Sequence, residues 1–126
     1  MMYSRLDYVN VVRWLNQQGV LAHLCLAQRT IPEGEAHRLA REIVGPGVRI
    51  RVKRITRSWA WGSHTINLAC NDARQVRIDA VLHECAHILD KRKPRQMRGL
   101  SHGEPFKRTY ARLLREYTAS PLEARR

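Results

Sequence analysis

The sequence predicts an α+β fold in which several helices pack against a small antiparallel sheet. In several stretches of the 126-residue chain, apolar residues recur every three or four positions, as on one face of a helix. In residues 48–53 the pattern changes to strict alternation, which indicates a half-buried strand. Gly45, Pro46 and Gly47 separate the two patterns. We expect one domain over residues 1–126, since a chain of this length buries a modest core without disulfides.

Two helices are expected before this break. Apolar residues at helical spacing predict the first helix, which Gly19 should end: Leu6, Val9, Val12, Trp14 and Leu15. The pattern leaves open whether residues 20–27 continue that helix after a bend or form a separate turn. A capping box at residues 30–33 predicts a second helix over about 32–44.

The first predicted strand, residues 48–53, has an apolar and a basic face. Its apolar residues are Val48, Ile50 and Val52, and its basic residues are Arg49, Arg51 and Lys53. Residues 65–69 have the pattern of a returning strand, so we expect an antiparallel hairpin. The basic face is either solvated or in contact with phosphates, and Trp59 and Trp61 either stack on bases or pack on the core.

Residues 77–90 predict an amphipathic helix that carries the motif HECAH at residues 83–87. A helix turns about 100° per residue, so His83 and His87 lie within about 40° of each other, with Glu84 on the same flank. The apolar residues fall on the opposite side: Ile78, Val81, Cys85, Ile88 and Leu89. Two imidazoles one turn apart beside a carboxylate are typical of a catalytic Zn²⁺ site, so we expect the two histidines to bind zinc.

The ends of this helix and the start of the next also have local signals. Asn71 or Asp72 is positioned to cap its start, and Pro94 marks its end. A closing helix begins at about residues 101–106. The apolar stripe of that helix is Phe106, Tyr110, Leu113, Leu114 and Tyr117. Residues 119–126 are polar and are expected to fray.

The chain carries a large excess of positive charge. Its 23 Lys and Arg residues against 11 Asp and Glu give a net charge of +12, which predicts an anionic partner, with nucleic acid the first candidate. The residues expected to face it lie in two basic stretches: Arg49, Arg51, Lys53, Lys91, Arg92, Lys93, Arg95 and Arg98.

The cysteine pattern and the absence of long apolar runs predict the compartment. Cys25, Cys70 and Cys85 form no CxxC pair, which indicates neither a zinc ribbon nor a disulfide framework and suits a reducing environment. Polar residues interrupt the apolar positions of residues 1–20, so no signal peptide is predicted, and no stretch approaches the length of a membrane span. We therefore expect a cytoplasmic protein that does not enter a membrane.

A catalytic zinc site usually has three protein ligands and a water molecule, so the chain must supply a third ligand. The compact pattern HExxHxxGxxH is excluded, because Asp90 and Lys93 stand where Gly and His are required. The remaining candidates are His102, Glu104 and, more weakly, Glu116.

The HECAH motif, together with a later HGEPF at residues 102–106, resembles the SprT-like zinc metalloproteases, the group that includes Spartan. Residues 65–69 also resemble the I-x-L strand of that family, and the likeness covers about residues 35–118. The resemblance implies a zincin-like domain in which His102 is the third zinc ligand and Glu84 the general base. The family's C-terminal zinc ribbon has no counterpart among these cysteines, so a minimal catalytic core is expected.

The implied activity is zinc-dependent peptide hydrolysis. Zinc would polarise the scissile carbonyl and lower the pKa of its bound water, and Glu84 would pass the water's proton to the leaving amine. Candidate donors to the oxyanion are His64, Arg98 and Tyr110. Asp79 and Asp90 either orient a ligand histidine or carry a surface charge. We expect a peptide substrate to add to a strand edge, in a domain with little room for a specificity pocket.

Members related to Spartan cleave proteins attached to DNA, so the resemblance and the charge together suggest DNA-associated proteins as substrates. Two other functions remain open. The chain is alternatively a nucleic-acid-binding module whose structural zinc takes Glu104 or a cysteine as fourth ligand, or a metal-dependent hydrolase of a different bond. Glu84 disfavours the binding module, because a structural site does not need a base.

Overall fold

The computed structural model describes residues 5–94 and 102–118. Within these ranges the chain forms five helices and five strands, which confirms the α+β class. In chain order they are α1 (Arg5–Gln17), α2 (Leu21–Leu26), β1 (Thr30–Pro32), α3 (Glu33–Val44), β2 (Arg49–Lys53), β3 (Trp59–Trp61), β4 (Thr65–Ala69), β5 (Gln75–Arg77), α4 (Ile78–Lys91) and α5 (Glu104–Tyr117). Arg95, Arg98 and the tail at residues 119–126 lie outside the described residues.

The larger sheet has the strand order β2-β4-β3. Strand β2 runs parallel to β4, so the predicted antiparallel hairpin between residues 48–53 and 65–69 is wrong. The antiparallel partner of β4 is β3, which reaches β4 through a turn containing Gly62 at φ +59°. Strand β3 occupies one side of β4 and leaves the other side for β2. The chain must therefore cross the sheet between β2 and β3.

A second, two-stranded sheet pairs β1 with β5 in antiparallel register. The predicted capping box at residues 30–33 is consequently wrong, because Thr30 lies in a strand opposite Arg77. Helix α3 follows directly, with Pro32 at its N-cap and no side-chain cap. The absence of a side-chain cap follows from this residue, because proline has no side-chain oxygen to accept a hydrogen bond from the first helical amides.

The start of α4 also differs from the prediction. Neither Asn71 nor Asp72 caps it, since its N-cap residue is Arg77. The Asn71 Oδ1 atom instead accepts hydrogen bonds from the backbone N–H groups of Ala73 and Gln75, at 3.0 and 2.9 Å. These bonds shape the turn between β4 and β5. The first α4 amides donate to the chain that precedes β1, with Ile78 N 3.0 Å from the Arg29 carbonyl. The backbone carbonyls of Ala27 and Arg29 thus take the place of a side-chain cap at the start of α4.

Helix α4 is central to the core and packs against α3, α5 and β4. Its buried apolar residues are Ile78, Val81, Leu82, Cys85, Ala86 and Ile88. The apolar cluster around it extends from Val11 to Leu114, so α1 and α2 contribute to it as well. The core therefore includes residues before position 35, where the family resemblance begins. None of the helices in the described ranges has both the length and the apolar character needed to cross a membrane.

Candidate metal centre

Three histidines from two neighbouring segments meet at one point. His83 and His87 lie one turn apart on α4, and His102 lies two residues before the first residue of α5. The Nε2 atom of His87 is 3.2 Å from that of His83 and 3.1 Å from that of His102. The third distance, between His83 and His102, is 3.3 Å. These three residues are therefore close enough to bind a metal ion.

The spacing of the three nitrogens suits zinc. Tetrahedral ligands at a Zn–N distance of 2.0–2.1 Å lie about 3.3–3.4 Å apart, close to the separations of the three Nε2 atoms. Hydrogen bonding alone does not account for the triangle, because each neutral Nε2 either donates or accepts and three mutual contacts cannot all pair a donor with an acceptor. A central cation satisfies all three lone pairs at once. Among the described residues, no fourth His, Cys, Asp or Glu joins this group.

Phe106 forms the packing surface beneath the three rings. It is fully buried, and its ring stacks on His87 with centroids 4.4 Å apart and planes inclined at 23°. It also meets His83 and His102 edge-on, at 4.9 and 5.1 Å. Because Phe106 lies in the first turn of α5, the helix that follows His102 also fixes the orientation of the α4 histidines.

The surroundings keep His83 and His87 neutral. Burial, with a further contribution from the neighbouring histidines, lowers the pKa of His83 well below its ordinary value. Burial likewise lowers the pKa of His87 to about 3. A neutral imidazole is the form that donates a lone pair to a metal, so both side chains are in the ligating state at neutral pH.

Glu84 is placed beside this centre and is shielded from water. Its residue is 6% exposed, and burial raises the pKa of its carboxyl to about 8. The adjacent Cys85 faces the core, where burial raises the pKa of its thiol to about 12. A thiol that keeps its proton is a poor metal ligand, so Cys85 is a core residue.

A cleft of about 760 Å³ opens onto His83 and Glu84. One wall is apolar and comes from α1 and α2: Val11, Val12, Leu15 and Leu24. Residues 55–58 and the turn after β4 form the opposite, more polar side. The expectation that so small a domain leaves little room for a specificity pocket is wrong. No local sequence pattern predicts this cleft, because its walls come from distant parts of the chain.

The carboxylates that were alternatives for the third ligand point elsewhere. Glu104 pairs with Arg108 at 2.6 Å, and Glu116 pairs with Arg112 at 3.3 Å, all on the exposed side of α5. Neither carboxylate belongs to the histidine group. Of the three third-ligand candidates, only His102 has its side chain at the centre.

Asp79 and Asp90 flank the metal centre on α4 and form ion pairs with basic residues. Asp79 lines the cleft and accepts two hydrogen bonds from Arg77, at 3.0 and 2.6 Å. Burial raises the pKa of Asp79 in spite of this pairing. Asp90 is buried and pairs with Lys93 at 3.3 Å. Lys93 also donates to Thr109 of α5, so the Asp90 pair ties the end of α4 to α5.

The three candidate oxyanion donors differ in their position relative to the histidines. Tyr110 lines the cleft, and its ring centroid lies 5.3 Å from that of His83. His64 is exposed, hydrogen-bonds to Ser63, and is not among the residues that line the cleft. Arg98 lies outside the described residues. Tyr110 is therefore the candidate that the described structure brings next to the histidine group.

Comparison of the chain with models of protein families, with curated proteins and with solved structures gave no match in any of the three. The SprT-like resemblance stays a prediction that rests on the HECAH and HGEPF residues.

Proposed function

We propose that this protein is a zinc-dependent metallopeptidase of the HExxH type, with a zincin-like core similar to that of the SprT-like proteases. One observation carries the proposal: the Nε2 atoms of His83, His87 and His102 converge to within 3.1–3.3 Å, and Glu84, next to His83 on α4, lines the same open cleft as His83. Three imidazole ligands with one position left for solvent are the donor set of a catalytic zinc.

The roles of the residues follow from their chemistry. Zinc held by the three histidines would polarise the scissile carbonyl and activate a water molecule. A cation held by the histidines would lower the pKa of the Glu84 carboxyl from about 8, so that Glu84 would accept the proton of that water and deliver it to the leaving amine. Tyr110 donates a hydrogen bond to the oxygen on which negative charge develops, since it lines the same cleft beside His83.

The substrate is an extended stretch of polypeptide. Strand β3 is an edge strand, and among the described strands it pairs only with β4. An extended peptide can add to that edge through backbone hydrogen bonds, while its side chains enter the neighbouring cleft. Residues 55–58, which line the cleft, lead directly into β3. We therefore assign the apolar wall beside α1 to a large apolar side chain of the substrate.

Nucleic acid is the proposed partner, and DNA-associated proteins are the proposed substrates. The support is the net charge of +12 and the resemblance to a family whose members cleave proteins attached to DNA. Cys25, Cys70 and Cys85 are all free thiols, which suits a reducing, cytoplasmic compartment.

The rival function, a nucleic-acid-binding module with a structural zinc, needs a fourth protein ligand. The described residues supply three, and Glu104, its proposed fourth ligand, pairs with Arg108 instead. This favours a catalytic site. No observation favours a substrate bond other than the peptide bond.

A metal-dependence assay tests the proposal. The purified chain should contain one zinc per molecule and should cleave an unfolded protein into discrete fragments. Chelation should abolish cleavage, and stoichiometric Zn²⁺ should restore it. Failure of zinc to bind, or cleavage that persists without metal, would contradict the proposal.

A further inference from the structure

We infer that the outer face of the three-stranded sheet binds single-stranded nucleic acid, with unpaired bases stacked on Trp59 and Trp61 and phosphates paired with Arg49, Arg51 and Lys53. This outer face lies on the side of the sheet away from α4. The inference gives the proposed nucleic-acid partner a site, but it does not depend on zinc or on peptide hydrolysis.

The strand register determines which side chains share this face. Residues paired across neighbouring strands project to the same side of a sheet, and alternate residues along a strand do so as well. Two rows result on the outer face: Arg49, Thr65 and Trp61 form one, and Arg51, Asn67 and Trp59 form the other. The opposite face carries Ile50, Ala60, Ile66 and Leu68, which pack in the core or against it.

The two tryptophans are unusually exposed for large aromatic residues. Trp59 is 48% and Trp61 is 68% exposed, so neither serves mainly as core. Alternate residues of a strand lie about 6.7 Å apart, roughly twice the 3.4 Å rise between stacked bases in duplex DNA. Bases resting on both indoles must therefore be separated from each other, which a single strand permits and a duplex does not.

The cations on this face are not neutralised by neighbouring acids. Within residues 5–94 and 102–118, Arg49, Arg51 and Lys53 form no ion pair with a carboxylate. Several other arginines do: Arg74, Arg77, Arg108 and Arg112. Strand β2 lies two strand spacings, about 10 Å, from β3, so a backbone on the cations can place its bases over the indoles.

Asn67 adds a polar group at the centre of the face. It stands between Arg51 and Trp59 on the central strand and is 2% exposed. Its side-chain oxygen accepts no hydrogen bond from any described residue. Buried amide oxygens normally have a partner. The exposed side chains on either side can move apart, so a bound base or sugar can supply that missing donor.

The position of this surface relates it to the cleft. Residues 55–58 line the cleft and continue into Trp59, so the two sites lie on either side of β3. A protein attached to a strand held on the outer face can thus reach the cleft by passing around the free edge of β3.

Fluorescence anisotropy with a labelled oligothymidylate tests the inference, using the Glu84→Gln chain so that proteolysis cannot interfere. The pair Arg49→Gln/Arg51→Gln is compared with Arg13→Gln/Arg38→Gln, an exposed pair on α1 and α3 with the same change in charge. The plot of log affinity against log salt has a negative slope. We expect Arg49→Gln/Arg51→Gln to make that slope shallower by about 1.4, and the control pair to change it far less. Trp59→Ala/Trp61→Ala should weaken binding about tenfold per ring, while Trp59→Phe/Trp61→Phe should retain most of it.

Each other outcome overturns the inference. No binding by the parent chain, equal affinity for duplex, or equal losses in the sheet and control pairs would do so. Concentration-dependent dimerisation that requires the tryptophans, without oligonucleotide binding, would assign the face to a second copy of the chain. A uridylate oligonucleotide run in parallel separates DNA from RNA as the preferred strand. Because the assay involves no cleavage, its result is independent of the proposed peptidase activity.

Discussion

Phe106 stacks on His87, with the ring centroids 4.4 Å apart and the planes inclined at 23°. The two residues belong to different helices, and Phe106 follows His102 by four positions. One aromatic ring thus couples the orientation of an α4 ligand to the segment that delivers the third histidine. The final residue of the HGEPF stretch consequently has a structural reason to be aromatic.

We predict that Phe106→Ala weakens zinc binding as well as stability. Loss of a fully buried Phe typically lowers the free energy of unfolding by about 3–5 kcal/mol. The three imidazoles would also lose their common packing surface, so zinc affinity should fall about 10–100-fold, as for other residues that orient ligands. Chelator competition measures the affinity, and urea unfolding of the zinc-free chain measures the stability.

Leu114→Ala is the matched control, since Leu114 is equally buried on the same helix and is not among the residues in ring contact with the histidines. It should lower stability while leaving zinc affinity within a few-fold. If both variants change zinc affinity alike, Phe106 acts only through global stability.

The third ligand can be tested by comparing His102→Ala with Glu104→Ala. Removing His102 should reduce zinc affinity by more than about 100-fold, the upper range for residues that only orient a ligand. Removing Glu104 should have little effect, because its carboxylate pairs with Arg108 on the surface. If His102→Ala retains zinc and Glu104→Ala loses it, Glu104 is the third ligand and His102 is not.

The zinc-free chain should lose stability as pH falls below about 6.5. Burial holds the pKa of His87 at about 3 in the folded chain, against 6.5 when unfolded, so the unfolded state binds more protons between these values. The free energy of unfolding should fall by at most about 1.4 kcal/mol per pH unit for this group. His83 contributes in the same direction, whereas Glu84, whose pKa burial raises from 4.5 to about 8, offsets part of the loss between those values.

Urea unfolding at several pH values, in the presence of chelator, measures this slope. His87→Gln should flatten it, whereas His64→Gln, at an exposed position, serves as the control for loss of a histidine. An unchanged slope in His87→Gln would show that its imidazole is not held neutral by burial.

Tyr110→Phe keeps the aromatic contact with His83 and removes only the hydroxyl. We predict that kcat falls about 100-fold or more, with KM and zinc content nearly unchanged, because the donor acts when charge develops on the oxyanion. Tyr117→Phe, on the same helix, should leave kcat unaltered. A rise in KM alone would make Tyr110 a substrate-binding residue instead.

The sequence predicted the meeting of the three histidines better than it predicted the sheet. The i, i+4 spacing of His83 and His87 is fixed by helix geometry, and His102 is tied to them by the position of α5. The pairing of β2 with β4 is not determined by such local geometry, because β3 lies between the two strands in the sequence. Strand β3 has only three residues, too few to show alternation, so residues 65–69 appeared to return onto β2.

Two other features were not predicted correctly, again because tertiary contacts determine them. Asn71 has the chemistry of a helix cap, but its oxygen is engaged by the turn before β5. The cleft wall combines Val11 of α1 and Leu24 of α2 with the face of α4 that carries His83. No periodicity in the sequence encodes the distance between those elements, because tertiary packing determines it.

The most direct test of the peptidase account compares cleavage of an unfolded protein by the wild-type chain and by Glu84→Gln at equal zinc content. Removing a general base typically lowers turnover by about 10²–10⁴-fold, so fragments should appear with the wild type and be nearly absent with the variant. Equal cleavage by the two would contradict the assignment of Glu84. No cleavage by zinc-loaded wild type would contradict the peptidase function itself.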